Sequence, residues 1–103
     1  MPTIVIHCRY AAGYPADQYV YCGRPSKWGN PYSLVGDGGQ EIIFNRADAI
    51  RAFRSWFYAP EQAQLRADAL VELKDKVLGC WCHPKSCHVD IIADYVNLHA
   101  PTD

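Results

Sequence analysis

Short apolar runs alternate with turn-forming stretches along the first half of this chain, and helical periodicity takes over in the second. Residues 3–8 form a short apolar run rich in β-branched residues, with Val5 and its neighbours Ile4 and Ile6 all hydrophobic. Apolar side chains on both faces predict a strand covered on both sides. Gly13-Tyr14-Pro15 is a loop, and Tyr19-Val20-Tyr21-Cys22 reads as a second strand stopped by Gly23. The prolines and glycine between residues 24 and 32 exclude regular structure there. Gly36-Asp37-Gly38-Gly39 is a turn, and residues 40–44 form a brief strand or the approach to a helix.

Asn45, with Asp48 three residues on, has the chemistry of an N-cap. The helix it opens places Ile50, Phe53 and Phe57 in one apolar stripe. Pro60 suits the first turn of a second helix, whose apolar positions include Leu65, Ala69 and Leu73. Val77 and Leu78 begin a strand that runs toward Cys82 and is broken by Pro84. Ser86 or Cys87 then caps a last helix with Val89, Ile92 and Val96 as its buried stripe, and Ile91 and Tyr95 beside it. The pattern predicts an α/β fold: a small single-layer, mostly parallel sheet with flanking helices.

A chain of 103 residues is expected to form one domain. Half of its residues are hydrophobic, enough for a core without disulfides. The net charge of -1 lacks the basic surplus that phosphate neutralisation demands. Nucleic acid is therefore not favoured as a partner, although a local basic site remains compatible. No stretch is long and apolar enough to span a membrane, and residues 1–6 lack the features of a signal peptide. The expected location is cytoplasmic, where five cysteines read as thiols or ligands and not as a disulfide framework.

The densest chemistry is the run Gly79-Cys80-Trp81-Cys82-His83-Pro84-Lys85-Ser86-Cys87-His88. Cys80, Cys82, Cys87 and His88 form a complete tetrahedral set for zinc. A strand continuing to Cys82 would turn Cys80 and Cys82 to one face. Adjacent Cys87 and His88 would diverge inside a helix, so His83, Cys22 or Cys8 are alternative ligands. A catalytic reading uses the same residues: Cys87 with its pKa lowered at a helix N-terminus, His88 as base, and Asp90 orienting it or acting as a carboxylate nucleophile. Asp90 is equally what a first helical turn wants for capping, and buried cysteines are often simple core residues. The spacings match neither common ferredoxin pattern.

The second unusual segment is Arg24-Pro25-Ser26-Lys27-Trp28-Gly29-Asn30-Pro31. Arg24 and Lys27 offer cations, Ser26 a hydroxyl, Asn30 an amide and Trp28 a stacking face, a set suited to a phosphate plus a planar base. The alternative is a rigid surface loop in which Trp28 plugs the core edge and the cations are solvated. His7 and Arg9, at the end of the first strand, would face the same cleft in a parallel sheet.

Together, Tyr-x-Gly-Arg-Pro-Ser-Lys-Trp-Gly-Asn-Pro over residues 21–31 and Gly-Cys-Trp-Cys-x-Pro-x-x-Cys-His-x-Asp over residues 79–90 resemble a family of small bacterial and phage proteins, domain of unknown function 4326. The resemblance covers nearly the whole chain. It implies that Arg24, Ser26, Lys27, Trp28, Gly29, Asn30 and Pro31, then Cys80, Trp81, Cys82, Pro84, Cys87, His88 and Asp90, define the family. It carries no catalytic role with it. Val89 stands where the family often has glycine, and Cys22 stands where an aliphatic residue is usual, which argues against Cys22 as a required ligand. A signature on both unusual segments implies one shared site, where the loop after the second strand meets the strand-to-helix turn.

The leading expectation is a zinc-type Cys/His site beside a polar cleft for a phosphorylated or nucleotide-like ligand, with hydrolysis or transfer as its chemistry. The alternatives are a non-enzymatic zinc-stapled module that binds protein or nucleic acid, and a thiol redox protein.

Overall fold

Val77, Leu78, Gly79 and Cys80 are buried at every position, the mark of a strand with neighbours on both edges and cover on both faces. A computed structural model describes residues 2–23, 26–34, 41–43, 45–81, 83, 85 and 87–100. The turn expected over residues 36–39, and Arg24, Cys82, Pro84 and Ser86, lie outside the described residues.

The strands are β1 (Ile4–His7), β2 (Tyr19–Tyr21), β3 (Tyr32–Leu34), β4 (Glu41–Ile43) and β5 (Val77–Cys80); the helices are α1 (Arg46–Phe57), α2 (Ala63–Glu72) and α3 (His88–His99). The chain is α/β. Strand β5 lies between β1 and β2, and both pairings are parallel. Strands β3 and β4 form a separate parallel pair that packs on α1. The expected single sheet is thus a three-stranded sheet plus a two-stranded one. Strand β3 was not anticipated because three residues directly after Pro31 carry no readable period.

Double-sided cover belongs to the central strand. Strand β1 is at the edge, and its Ile4 remains 36% exposed. Nor does the first strand reach Cys8. The backbone turns into a 3-10 segment (Cys8–Gly13), capped where the His7 Nδ1 accepts from the Arg9 amide at 3.0 Å. Asn45 does cap α1, its side chain accepting from the Asp48 amide at 2.8 Å. Pro60 opens a 3-10 turn (Pro60–Gln62) that leads into α2.

The register sends Val5, Val20, Leu78 and Cys80 to one face. There they meet Phe53 and Phe57 of α1, Leu73 after α2, and Val89, Ile92 and Val96 of α3. Each large apolar side chain fully buried in this cluster contributes roughly 1.5–3 kcal/mol of transfer free energy. On the other face, Tyr19 covers Gly79 so closely that a Cβ there would collide with its hydroxyl and sit 2.6 Å from Cζ. Only glycine allows that ring to lie on the sheet. No helix among the described residues is long and apolar enough to cross a membrane.

Thr3 ties the start of β1 to the opposite end of the chain. Its Oγ1 donates to the Leu73 carbonyl at 2.7 Å and accepts from the Asp75 amide at 3.1 Å. The Asn97 side chain accepts from the Thr3 amide at 2.8 Å and donates to its carbonyl at 2.9 Å, pinning α3 to the same point. Thr3→Val keeps the shape and removes both side-chain hydrogen bonds, leaving the Leu73 carbonyl with the Lys76 amide alone at 3.2 Å. It should lower the urea-unfolding free energy by about 1–3 kcal/mol, with an unchanged midpoint counting against this role.

Candidate functional site

All three strands of the larger sheet point the same way, so β1, β5 and β2 deliver His7, Cys80 and Tyr21 to one carboxyl edge. Helix α3 begins at that edge. Its N-cap, Cys87, is extended (φ -145°, ψ 154°) and therefore stands outside the helical array of side chains. This removes the expected divergence of Cys87 from its neighbour. The Cys87 Sγ lies 3.5 Å from the His88 Nδ1.

The His88 Nε2 lies 3.0 Å from the carbonyl oxygen of Cys22, just beyond β2. Facing a carbonyl, Nε2 must carry the proton, which in the neutral ring leaves the Nδ1 lone pair aimed at the sulfur. Phe53 supports the imidazole edge-to-face, with centroids 5.0 Å apart. The orienting partner of His88 is thus the Cys22 carbonyl, whereas the catalytic reading had Asp90 orient it or act as a nucleophile. Asp90 is engaged on the helix start: its Oδ2 accepts from the Cys87 amide at 3.1 Å, and its own amide donates to the Cys87 carbonyl at 3.1 Å.

Cys80, at the end of β5, and Cys22, just beyond the adjacent β2, are both buried. Burial, followed by the neighbouring Cys80, pushes the Cys22 thiol up to about 12, and its Sγ–H donates to the Val20 carbonyl at 3.6 Å. Tyr19 is raised as well, by burial first and then by Cys8 and Cys22. The strand that was expected to continue to Cys82 stops at Cys80. Among the described residues no group of three or more His, Cys, Asp and Glu side chains closes on a common point; Cys82 lies outside them.

The described residues of the second motif tie its loop to the helices. Ser26 donates from Oγ to the Gly23 carbonyl at 2.6 Å. Lys27 pairs with Glu72 at 2.6 Å and Asp68 at 3.4 Å on α2, and the hydrogen bond to Glu72 holds its ammonium above the usual lysine range. Trp28 is 4% exposed and belongs to the core, so no face of it is open for stacking. Asn30 donates from Nδ2 to the Ala49 carbonyl at 3.3 Å in α1.

A different tryptophan occupies the edge. Trp81 leaves the central strand with 67% of its surface exposed. Its Nε1–H donates to the Tyr21 hydroxyl at 2.7 Å, and the His7 ring meets it edge-on at 5.9 Å. The sequence carried a signal for it, since alternation from buried Cys80 turns residue 81 away from the core.

Among known sequences, the family described as Domain of unknown function (DUF4326) matches residues 6–98. An uncharacterized 12.4 kDa protein from the nrdA-td intergenic region of Enterobacteria phage T4 is 37% identical over 92 residues, covering 87% of this chain and 78% of the phage protein. No solved structure matches the chain.

The raised Cys22 thiol sets a direction for alkaline stability. The fold keeps it protonated while the unfolded chain ionises near the ordinary value of 9.0. Its contribution is complete below that pH and is lost as pH rises toward about 12. Between about pH 8 and about pH 10.5 the wild type should therefore lose up to about 2 kcal/mol more than Cys22→Ala. Equal losses in urea titrations of the two proteins would contradict a neutral, buried thiol.

Proposed function

We propose, for a chain that belongs to the family described as Domain of unknown function (DUF4326), that the carboxyl edge of its three-stranded sheet is a zinc-type Cys/His centre beside a cleft for a phosphorylated or nucleotide-like ligand. The convergence of Cys87 and His88 carries this reading. Tetrahedral zinc with sulfur at about 2.3 Å and nitrogen at about 2.05 Å separates the two donors by about 3.6 Å. The Sγ to Nδ1 distance is 3.5 Å. The outer nitrogen on a backbone carbonyl is also the usual support of a metal-bound imidazole. Cys80 at the end of β5, and Cys82 two residues on in the sequence, would complete a Cys3His set.

Four protein ligands close a zinc site, so the ion would fasten α3 to the sheet and shape the ligand cleft. Hydrolysis or transfer at the ligand requires one position of that set to open to water. The cleft reading draws support from the location: the carboxyl edge of a parallel sheet faces the amino end of α3, whose partial positive charge favours phosphate. With Lys27 paired to α2 and Trp28 in the core, Arg24, directly after Gly23 in sequence, is the motif's cation left for that phosphate.

The same geometry favours one other reading. Without metal, the Cys87 thiol can donate to the His88 Nδ1, a nucleophile with its base already oriented. Elemental analysis and native mass spectrometry of protein purified without chelator separate the two. About one zinc per chain, lost in Cys87→Ser and in His88→Asn, is expected, with chelator lowering the melting temperature of the wild type. A folded, metal-free chain whose Cys87 is rapidly alkylated would replace the zinc centre with the cysteine–histidine pair. The cleft is tested by nucleoside phosphates, which should raise the melting temperature; no shift with any of them would remove it.

A further inference from the structure

The two tryptophans of the family motifs are treated oppositely by the fold. Trp28 is buried in the core at 4% exposure, while Trp81 keeps 67% of its surface in water. An indole so exposed gains little from burial and contributes little to stability. It is nevertheless held. Its N–H is committed to the Tyr21 hydroxyl at 2.7 Å, and the His7 ring stands against it at an interplanar angle of 85°. Both partners come from the flanking strands, His7 from β1 and Tyr21 from β2, while Trp81 follows the central strand β5. The flanking strands and the residue directly after the central one thus each contribute one ring at the carboxyl edge.

We infer that Trp81 is the stacking platform for the planar base of a nucleotide, with Tyr21 and His7 as its positioning residues. The inference rests on the ligand cleft proposed above and supplies what the 24–30 loop does not, an aromatic face open to solvent. Two contacts fix the indole before ligand arrives, so binding costs less side-chain entropy than a freely rotating tryptophan would lose. A flat π face selects flat π partners, and base-on-aromatic stacking tolerates any of the common bases. The phosphate end of the same ligand would lie toward the amino end of α3.

The test compares wild type with Trp81→Ala and Trp81→Phe by calorimetric titration of the four ribonucleoside monophosphates against their nucleosides, ribose 5-phosphate and inorganic phosphate. Wild type should bind the nucleotides more tightly than ribose 5-phosphate. Trp81→Ala should erase that difference, an affinity loss of about 5- to 150-fold for nucleotides, with ribose 5-phosphate binding and zinc content unchanged. Trp81→Phe should retain most of the difference. The indole Nε1–H resonance of Trp81, fixed by Tyr21, should shift on adding nucleotide and stay still on adding phosphate. Nucleotide affinity unchanged in Trp81→Ala overturns the platform and leaves the phosphate cleft standing. Nucleosides that bind as well as their phosphates keep the platform and remove the phosphate cleft. No binding of any probe to the wild type overturns both.

Discussion

Every feature of the carboxyl edge depends on β5 lying between β1 and β2. The two outer strands are joined by residues 8–18 yet do not pair with each other; β5, residues 77–80, lies between them and pairs with both. Once β5 is in place, the ladder continues past β2, with the Cys22 amide donating to the Gly79 carbonyl at 2.9 Å. That bond sets the direction of the Cys22 peptide and presents its carbonyl to His88. The imidazole is thereby held by the sheet although it belongs to a helix. From one backbone pairing follow the tautomer of His88, the direction of its Nδ1 and the approach of the Cys87 sulfur.

The start of α3 completes this chain of causes. An N-cap residue is extended, so its side chain can swing alongside the first helical residue instead of diverging from it. Asp90 stabilises the turn by accepting from the Cys87 amide, which keeps the cap in that conformation. Asp90 acts on the site through Cys87 and makes its described contacts there. The arrangement brings a sulfur, a nitrogen and the positive end of a helix to one place, so the proposed metal centre and the alternative thiol nucleophile would draw on the same atoms.

The two sequence motifs divide the labour unequally. Residues 26–30 look like a ligand loop in composition, yet Lys27 spans to Asp68 and Glu72, Trp28 enters the core and Asn30 reaches α1. This loop braces the helices behind the edge. The edge itself is lined from the other motif and from the strand ends, with Trp81 outermost. Composition cannot separate these roles, because a lysine beside a tryptophan serves a phosphate or an ion pair equally well. Only the positions of Asp68 and Glu72, some forty residues away in sequence, decide between them.

What was legible from the sequence was local. The caps at Asn45 and Cys87, the stripe of Ile50, Phe53 and Phe57, the apolar runs at 3–8 and 77–80, and the density of cysteines after Gly79 all follow from residue chemistry over a few positions. The α/β class follows from their order. The tertiary structure decided which strand is central, that β3 and β4 pair apart from the main sheet, that His88 is oriented by a carbonyl sixty-six residues earlier, and which tryptophan faces water. These are questions of which distant segments share a hydrogen bond or a packed face. Local propensity is silent on them, because the free energy that settles them arises only when the segments have met.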